Sequence, residues 1–420
     1  MLAAMSATPT PPEAAPVRAG RGRDDACPGA LRLHAADDGG LARVRVPAGL
    51  LAVDQALALA EAAQALGDGE LETTSRGNVQ LRGLAADAGA ELAARLRAVG
   101  LLPSESHERV RNIVASPLAG LDGVGFAELR PWVCELDELL RGSETARELS
   151  GRFLFALDDG RGDVAALDAD VTLIARPAGA GAWLRLGRSA RVAELAGLAD
   201  GPRLALRAAE EFVRLRSGAW RVREADPDGS LLAERLGAEG LPWRSLPALP
   251  GTRPVVGAVA GGGALSVGLR FGRASVEQWR ALAGAARGEL RITPWRGVVL
   301  PGADPAALPG LAAAGLRTDP RSPWEQASAC TGAPGCAKSL ADVRADAATA
   351  LAADAPGEAR LLPVHWSGCE RRCGHPAGRW VDVLATGSGY RVAVRQYDDS
   401  GTEVTTQQMV AAVAAARRTT

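Results

Sequence analysis

The sequence predicts an α+β fold made of two copies of one plan, each a small α+β half-domain followed by a longer α/β segment. Three observations carry this reading. A strand, helix, strand, strand, helix order runs from Arg43 to Gly100, and the same order returns about two hundred residues later. The stretches "GELETTSRGNVQL" (69–81) and "GELRITPWRGVVL" (288–300) align with one inserted residue, which places Arg296 opposite Arg76 and marks an internal duplication. At 420 residues the chain is too long for one ordinary core, so two to four domains are expected.

Each element has its own signal. "LARVRVP" alternates as a strand, and "AVDQALALAEAAQALG" has helical spacing closed by Gly67. "ELETTS" and "NVQLRGL" read as strands about a turn at Gly77, and "AGAELAARLRAVG" as a helix ending at Gly100. In the following α/β segment Cys134 lies on an apolar helical pattern and reads as a small buried hydrophobe. Strands follow at "FLFALDD", "VTLIARP" and "GAWLRLG". The Pro/Gly-rich "LPALPGTRPVVG" (246–257) separates the copies. The second copy supplies the strand "LSVGLRFG", the helix "ASVEQWRALAGAA", the strands "GELRITPW" and "GVVLPG", and a helix ending near Gly315. Its α/β segment has a helix over 339–355, strands at 360–367, "RWVDVLAT" and "YRVAVRQY", and a closing helix near 406–417. The expected divisions are a disordered tail over 1–24, then 25–103, 104–245, 246–318 and 319–420.

A formal net charge of −1 gives no basis for a nucleic-acid partner or an anionic membrane, both of which need a basic surplus. No secretory h-region and no apolar run near the ~20 residues of a membrane span occurs. The expected location is therefore cytoplasmic, where thiols stay reduced. Against that background Cys330 and Cys336 form C-x5-C, and Cys369 and Cys373 form C-x3-C, each pair in a loop flanked by Gly or Pro. The spacing lacks the C-x2-C knuckles of structural zinc and suits thiolates converging on a [4Fe–4S] cluster, with zinc the remaining alternative. His365 and His375 flank the second pair, while Cys27 has no partner at metal spacing.

In "TTSRGNVQLRG" the residues Arg76, Asn78, Gln80 and Arg82 share one parity, so a strand here presents four hydrogen-bonding side chains on one face. "ERVRNIVASPLAG" adds Arg109, Arg111 and Asn112 beside a turn, and Arg152 precedes a strand. Guanidinium groups suit carboxylates, so a ligand with several carboxylates fits. The glycine-rich "AGGGALSVG" lies between strands and fails the context of a dinucleotide site; if the protein moves electrons, they must come from another protein.

Together the duplicated half-domain, "TTSRGNVQLRG", "RNIVASPLAG" and the C-x5-C and C-x3-C pairs resemble the sirohaem-type nitrite and sulfite reductase family over residues 25–420. The resemblance implies two ferredoxin-like half-domains pairing with two α/β iron–sulfur/tetrapyrrole domains. It implies a [4Fe–4S] cluster on Cys330, Cys336, Cys369 and Cys373, with Cys373 bridging towards the second metal group, and leaves an additional iron or sirohaem open. Tetrapyrrole contacts fall to Arg76, Asn78, Gln80, Arg82, Arg111, Asn112 and Arg152. The family's Lys-x-Lys oxyanion clamp is replaced here by Arg152 and Leu154, and the sole lysine is Lys338. The wording "ACTGAPGCAKS", "HWSGCERRCGHP" and "FALDDGRGDV" is similar to the branch acting in aerobic cobalamin biosynthesis. That branch implies a monooxygenase taking precorrin-3A and O2 as substrates, with a separate NADH-linked or ferredoxin-type reductase as electron donor. The alternatives are a nitrite or sulfite reductase and an iron–sulfur electron-transfer or redox-sensing protein.

Overall fold

The computed structural model describes residues 25, 27–237, 240–353, 361–376, 378–395 and 401–418. The tail expected over 1–24 lies outside them. Four sheets organise the chain. The first runs in the order His34–Ala36, Gly39–Val44, Val79–Leu84, Glu70–Thr73, Arg273–Ser275, and the second Gly257–Ala258, Ala264–Gly268, Gly297–Pro301, Glu289–Thr293, Leu50–Ala52. Each half-domain thus lends one edge strand to the other. Arg273 pairs with Glu72, and Ala52 pairs with Glu289.

The lent strands enter their helices in the same way. A short turn with a left-handed residue, Ala48 in one copy and Phe271 in the other, precedes each. The helices Val53–Leu66 and Val276–Ala285 then start with a glutamine at the third position, Gln55 or Gln278, whose side chain accepts the backbone N–H just before the helix, satisfying a donor the helix itself cannot. Between the two helices Trp279 is fully buried and its indole N–H donates to the Ala56 carbonyl at 3.0 Å. Both half-domains consequently share one hydrophobic core.

The larger sheets repeat each other as well. In one, Ile113–Ala115, Phe155–Asp158 and Val171–Ala175 run parallel and antiparallel strands follow. In the other, Ala327–Ala329, Val364–Ser367 and Trp380–Ala385 run parallel before an antiparallel continuation. No helix among the described residues is long and apolar enough to cross a membrane.

Several expectations are corrected. The helix expected over 339–355 spans Val343–Ala352, because Asp342 caps it by accepting the Ala345 N–H; the residues before it belong to the cysteine loop. Cys134 is exposed: the buried stripe of Arg130–Gly142 is Trp132, Val133, Leu136 and Leu140. The repeat needs no inserted residue. Glu72 faces Gln80 and Arg291 faces Val299, and Thr74 and Thr293 each accept the N–H two residues on, at Arg76 and Trp295. Trp295 therefore stands at the place of Arg76, while Arg296 (φ 60°) takes the place of Gly77 (φ 67°).

Candidate functional site

The carboxyl ends of the parallel strands in the second α/β domain carry the cysteines. Cys330 follows Ala327–Ala329, and its N–H donates to Trp366 O at 3.0 Å. Its sulfur accepts the Gly368 N–H at 3.2 Å, and Leu340 N–H donates to Gly368 O at 2.9 Å, which ties the two loops together. Gly368 must be glycine, since a Cβ there would come within 1.8 Å of Ser339 Oγ. Burial pushes the Cys330 thiol up, and the nearby Cys373 and Cys369 thiols add to the rise. Cys336 sits between Gly335, whose carbonyl accepts from Arg82 at 3.0 Å, and Ala337, whose N–H donates to Asp37 at 2.6 Å.

All six cysteines are free thiols. Among the described residues no three Cys, His, Asp or Glu side chains are gathered as ligands of one metal ion would be. Four thiols on two glycine-rich loops, with a backbone N–H already bonded to one sulfur, make a donor set that fits an iron–sulfur cluster.

His365 lies beneath these loops. It is fully buried, its Nδ1 is 2.8 Å from Ser328 Oγ, and its Nε2 has no partner. Burial first, and the Arg296 and His375 charges after it, lower its pKa to about 3, so the ring is neutral. His375 stacks on Trp380 at 5.3 Å.

On the first copy's side the Gly151 carbonyl is a meeting point, accepting from Arg45 at 3.2 Å, Arg76 at 3.4 Å and the Cys27 thiol at 3.6 Å. Arg43 and Arg45 also donate to Cys27 sulfur at 3.4 and 3.3 Å. Neither Arg45 nor Arg76 is ion-paired to a carboxylate among the described residues. Arg45 is 3% exposed with one guanidinium nitrogen unpartnered. Burial, then the neighbouring Arg221 and Arg45 charges, lower Arg76 to about 10. Close by, a cavity of about 620 Å³ is lined by Arg32, Arg109, Arg147, Arg216, Ser150 and Trp220 among others, and Arg152 is exposed with its guanidinium 4.8 Å from the Trp220 ring. Asp25 and Glu148 line the same cavity, and Arg147 and Arg216 are paired with Glu144 and Glu148.

The remaining expected ligand residues have other partners. Asn78 and Asn112 are 1% and 0% exposed. Asn78 accepts the Val46 N–H at 3.1 Å and donates to Asn112 at 3.0 Å, and Asn112 donates to Phe153 O at 2.9 Å. These amides join the first half-domain to the α/β sheet and offer nothing to a ligand. Gln80 accepts from Arg43 and donates to Glu72. Arg82 forks onto Asp38 at 2.7 and 2.8 Å, and Arg111 onto Asp137 at 2.6 and 3.0 Å. Only Gln80 and Arg82 of the four same-parity residues lie within the strand Val79–Leu84; Arg76 and Asn78 belong to the turn. Sequence reasoning passed over Arg43 and Arg45, although the alternation in "LARVRVP" put both on one face.

Leu154 is 3% exposed and packs with Val114, Ala156, Val164 and Ala169. Its N–H donates to Asp170 at 2.8 Å, and Asp170 is paired with Arg221 at 2.5 Å.

The Nitrite/Sulfite reductase ferredoxin-like half domain profile matches residues 34–99 and 259–316, one match in each half-domain. Over 389 residues the chain is 30% identical to a precorrin-3B synthase of Sinorhizobium sp, covering 89% of this chain and 83% of that protein. The chain belongs to the nitrite/sulfite reductase family. A ferredoxin–nitrite reductase of Synechococcus elongatus is also 30% identical over 387 residues, covering 80% of this chain and 74% of that protein. Family membership makes the chain an oxidoreductase. Mycobacterium tuberculosis NirA has the same fold, with a TM-score of 0.70 at 22% identity, covering 89% of this chain and 79% of NirA.

Proposed function

We propose that the chain is a precorrin-3B synthase, an O2-dependent monooxygenase that hydroxylates precorrin-3A at C20 and forms the lactone of precorrin-3B. The observation that carries this reading is Leu154, buried in an apolar cluster where the reductases' oxyanion clamp needs a cation. A lysine there would have to leave its charge among apolar side chains, which is prohibitive without a partner. The match to a precorrin-3B synthase over 389 residues supports the same reading.

Arg76 and Arg45, ion-paired to no carboxylate among the described residues, bind the carboxylates of the anionic tetrapyrrole. Arg152 on Trp220, with Arg32 and Arg109 of the adjacent cavity, holds its outer carboxylates. Arg82 and Arg111 act one step back, bracing the cysteine loop and the helix that carries Asp137. Cys330, Cys336, Cys369 and Cys373 would hold a [4Fe–4S] cluster. When bound, that cluster supplies electrons one at a time, delivered to it by a separate reductase.

A nitrite or sulfite reductase is the second reading, favoured by the equal identity to the Synechococcus enzyme. The deciding experiment is an anaerobic absorption and EPR spectrum with iron, sulfide and sirohaem counts, followed by turnover assays. Precorrin-3A consumed with O2 and a donor supports the synthase. Bound sirohaem with turnover of nitrite or sulfite, and none of precorrin-3A, refutes it. Arg76→Ala should lower precorrin-3A affinity at least tenfold; unchanged affinity would place the substrate elsewhere.

A further inference from the structure

We infer that Arg296 is the fixed positive charge that raises the electron affinity of the iron–sulfur cluster, an inference that rests on the cluster reading above.

Backbone conformation is the first observation. Arg296 occupies a left-handed turn (φ 60°) where the first copy has Gly77, a conformation that glycine adopts freely and other residues adopt at a cost in strain. Such strain in a non-glycine residue points to a role for its side chain. The next residue, Gly297, could have been the turn residue had the register shifted by one. The chain instead keeps an arginine in the strained place.

The surroundings of the side chain are the second observation. Three arginines cluster here, and two are neutralised: Arg317 by Glu325, and Arg344 by Glu72 at 2.6 Å. Arg344 also donates to Cys330 O at 3.1 Å. The Arg296 carbonyl accepts from Leu269 N–H at 2.9 Å and from Arg317 at 3.4 Å, but its guanidinium has no hydrogen bond or ion pair with any described residue. It is half-buried, and that burial lowers its pKa, with the Arg344 and Arg317 charges lowering it further.

Position is the third. A Cβ built on Gly374, the residue after Cys373, would lie 3.8 Å from an Arg296 guanidinium nitrogen and 3.9 Å from His365 Cε1. The guanidinium therefore packs on the turn that carries Cys373, beside a neutral imidazole. Of the nearby acids, Asp382 is taken by Arg372 and Arg395, and Glu370 by Arg372 and Arg391. Among the described residues nothing anionic is paired with Arg296.

A cluster on four thiolates becomes more negative when it accepts an electron. A nearby uncompensated, half-buried cation favours that reduced state, and net charge around a cluster is one of the determinants of its potential. Arg296 is thus a positioning charge, acting through the cluster rather than on the substrate.

The test uses the full-length protein and the variants Arg296→Gly, Arg296→Gln and Arg296→Lys. Each is titrated potentiometrically under anaerobic conditions, with EPR of the reduced cluster as the readout and iron and sulfide counted in every sample. The Gly and Gln variants should be at least tenfold harder to reduce, which is 59 mV for a one-electron couple; the Lys variant should stay close to wild type. Arg296→Gly should melt no lower than wild type, since glycine relieves the turn, so a lost potential cannot be laid to misfolding. An unchanged potential in a Gly variant with full iron and sulfide overturns this inference alone. A drop in precorrin-3A affinity at unchanged potential overturns it too, making Arg296 a substrate contact. A wild-type protein lacking iron and sulfide overturns the cluster reading and this inference with it.

Discussion

Replacing Asn78 by alanine separates a ligand contact from an internal bridge. The side chain is 1% exposed, accepts the Val46 N–H at 3.1 Å and donates to Asn112 at 3.0 Å. Its loss strands one buried donor and one buried acceptor at about 1–3 kcal/mol each, or about 2–6 kcal/mol together. For a chain of 420 residues, an unfolding entropy of about 2 cal/mol/K per residue turns this into a fall in Tm of about 2–7 °C. Asn112→Ala should behave similarly, because it frees Phe153 O and the Asn78 amide. The double variant breaks the shared bond only once, so the two effects should fall short of additive by about 1–3 kcal/mol. Scanning calorimetry of the four proteins, with precorrin-3A affinity measured in parallel, is the assay. Wild-type melting combined with lost affinity would refute the bridge and return both amides to the ligand.

Three further outcomes are expected. Cys373→Ser should lower iron and sulfide content and bleach the broad visible absorption of a thiolate-bound cluster; an unaltered spectrum and iron count would remove Cys373 from the ligand set. Trp279→Ala should cost about 3–5 kcal/mol, because a fully buried indole bonded to Ala56 O joins the two half-domain helices; a change in denaturation midpoint worth under about 1 kcal/mol would contradict the shared core. Asp163 is 1% exposed with Oδ2 unpartnered, and burial first, then Asp158, raises its carboxyl to about 7 from 3.8. The folded protein thus keeps a proton that the unfolded chain releases, so this group's contribution is full below about pH 4 and is lost as the pH climbs to 7, at up to about 1.4 kcal/mol per unit. Asp163→Asn should flatten urea-derived stability across that window, and a profile parallel to wild type would show that Asp163 does not titrate there.

How much of this was legible depends on what each feature rests upon. Helices with capping and periodicity could be read directly: Val53–Leu66 ends at Gly67, and Thr406–Arg417 starts at a Thr405 cap accepting Gln408 N–H. The duplication was legible because both copies kept Gly-Glu-Leu and Arg-Gly, yet those same letters misled the register. Strand pairing is long-range and fixed by hydrogen bonds no local pattern encodes, so Arg-Gly in one copy overlies Gly-Asn in the other. The exchange of Leu50–Ala52 and Arg273–Ser275 between sheets was invisible for the same reason. Polarity was a poor guide to function at Asn78 and Asn112. Parity marked Asn78, and a place beside a turn marked Asn112, but neither signal showed that each side chain would find the other in the interior.

Topology explains why only one copy carries the thiols. In the second α/β domain Cys330 N–H bonds Trp366 O at 3.0 Å, and Cys330 sulfur accepts Gly368 N–H at 3.2 Å. In the first, Ser116 N–H bonds Leu157 O at 3.1 Å, and Ser116 Oγ accepts Asp159 N–H at 3.2 Å. The same backbone knot therefore presents a thiol in one copy and a hydroxyl in the other. The loop after it runs to Val171 in one copy and to Trp380 in the other, and it carries Asp163, bonded to Ser116 at 2.6 Å, where the second copy carries its last two cysteines. Ser116 and Asp163 close this first loop upon itself, with Arg161 forked onto Asp159 and Asp122 as a further staple. Such a pocket is already filled by its own hydrogen bonds and keeps no ligand set for a metal. Duplication supplied two equivalent loops: the first is closed by Ser116 and Asp163, and the second presents Cys330, Cys369 and Cys373, three of the four thiols proposed to hold the cluster.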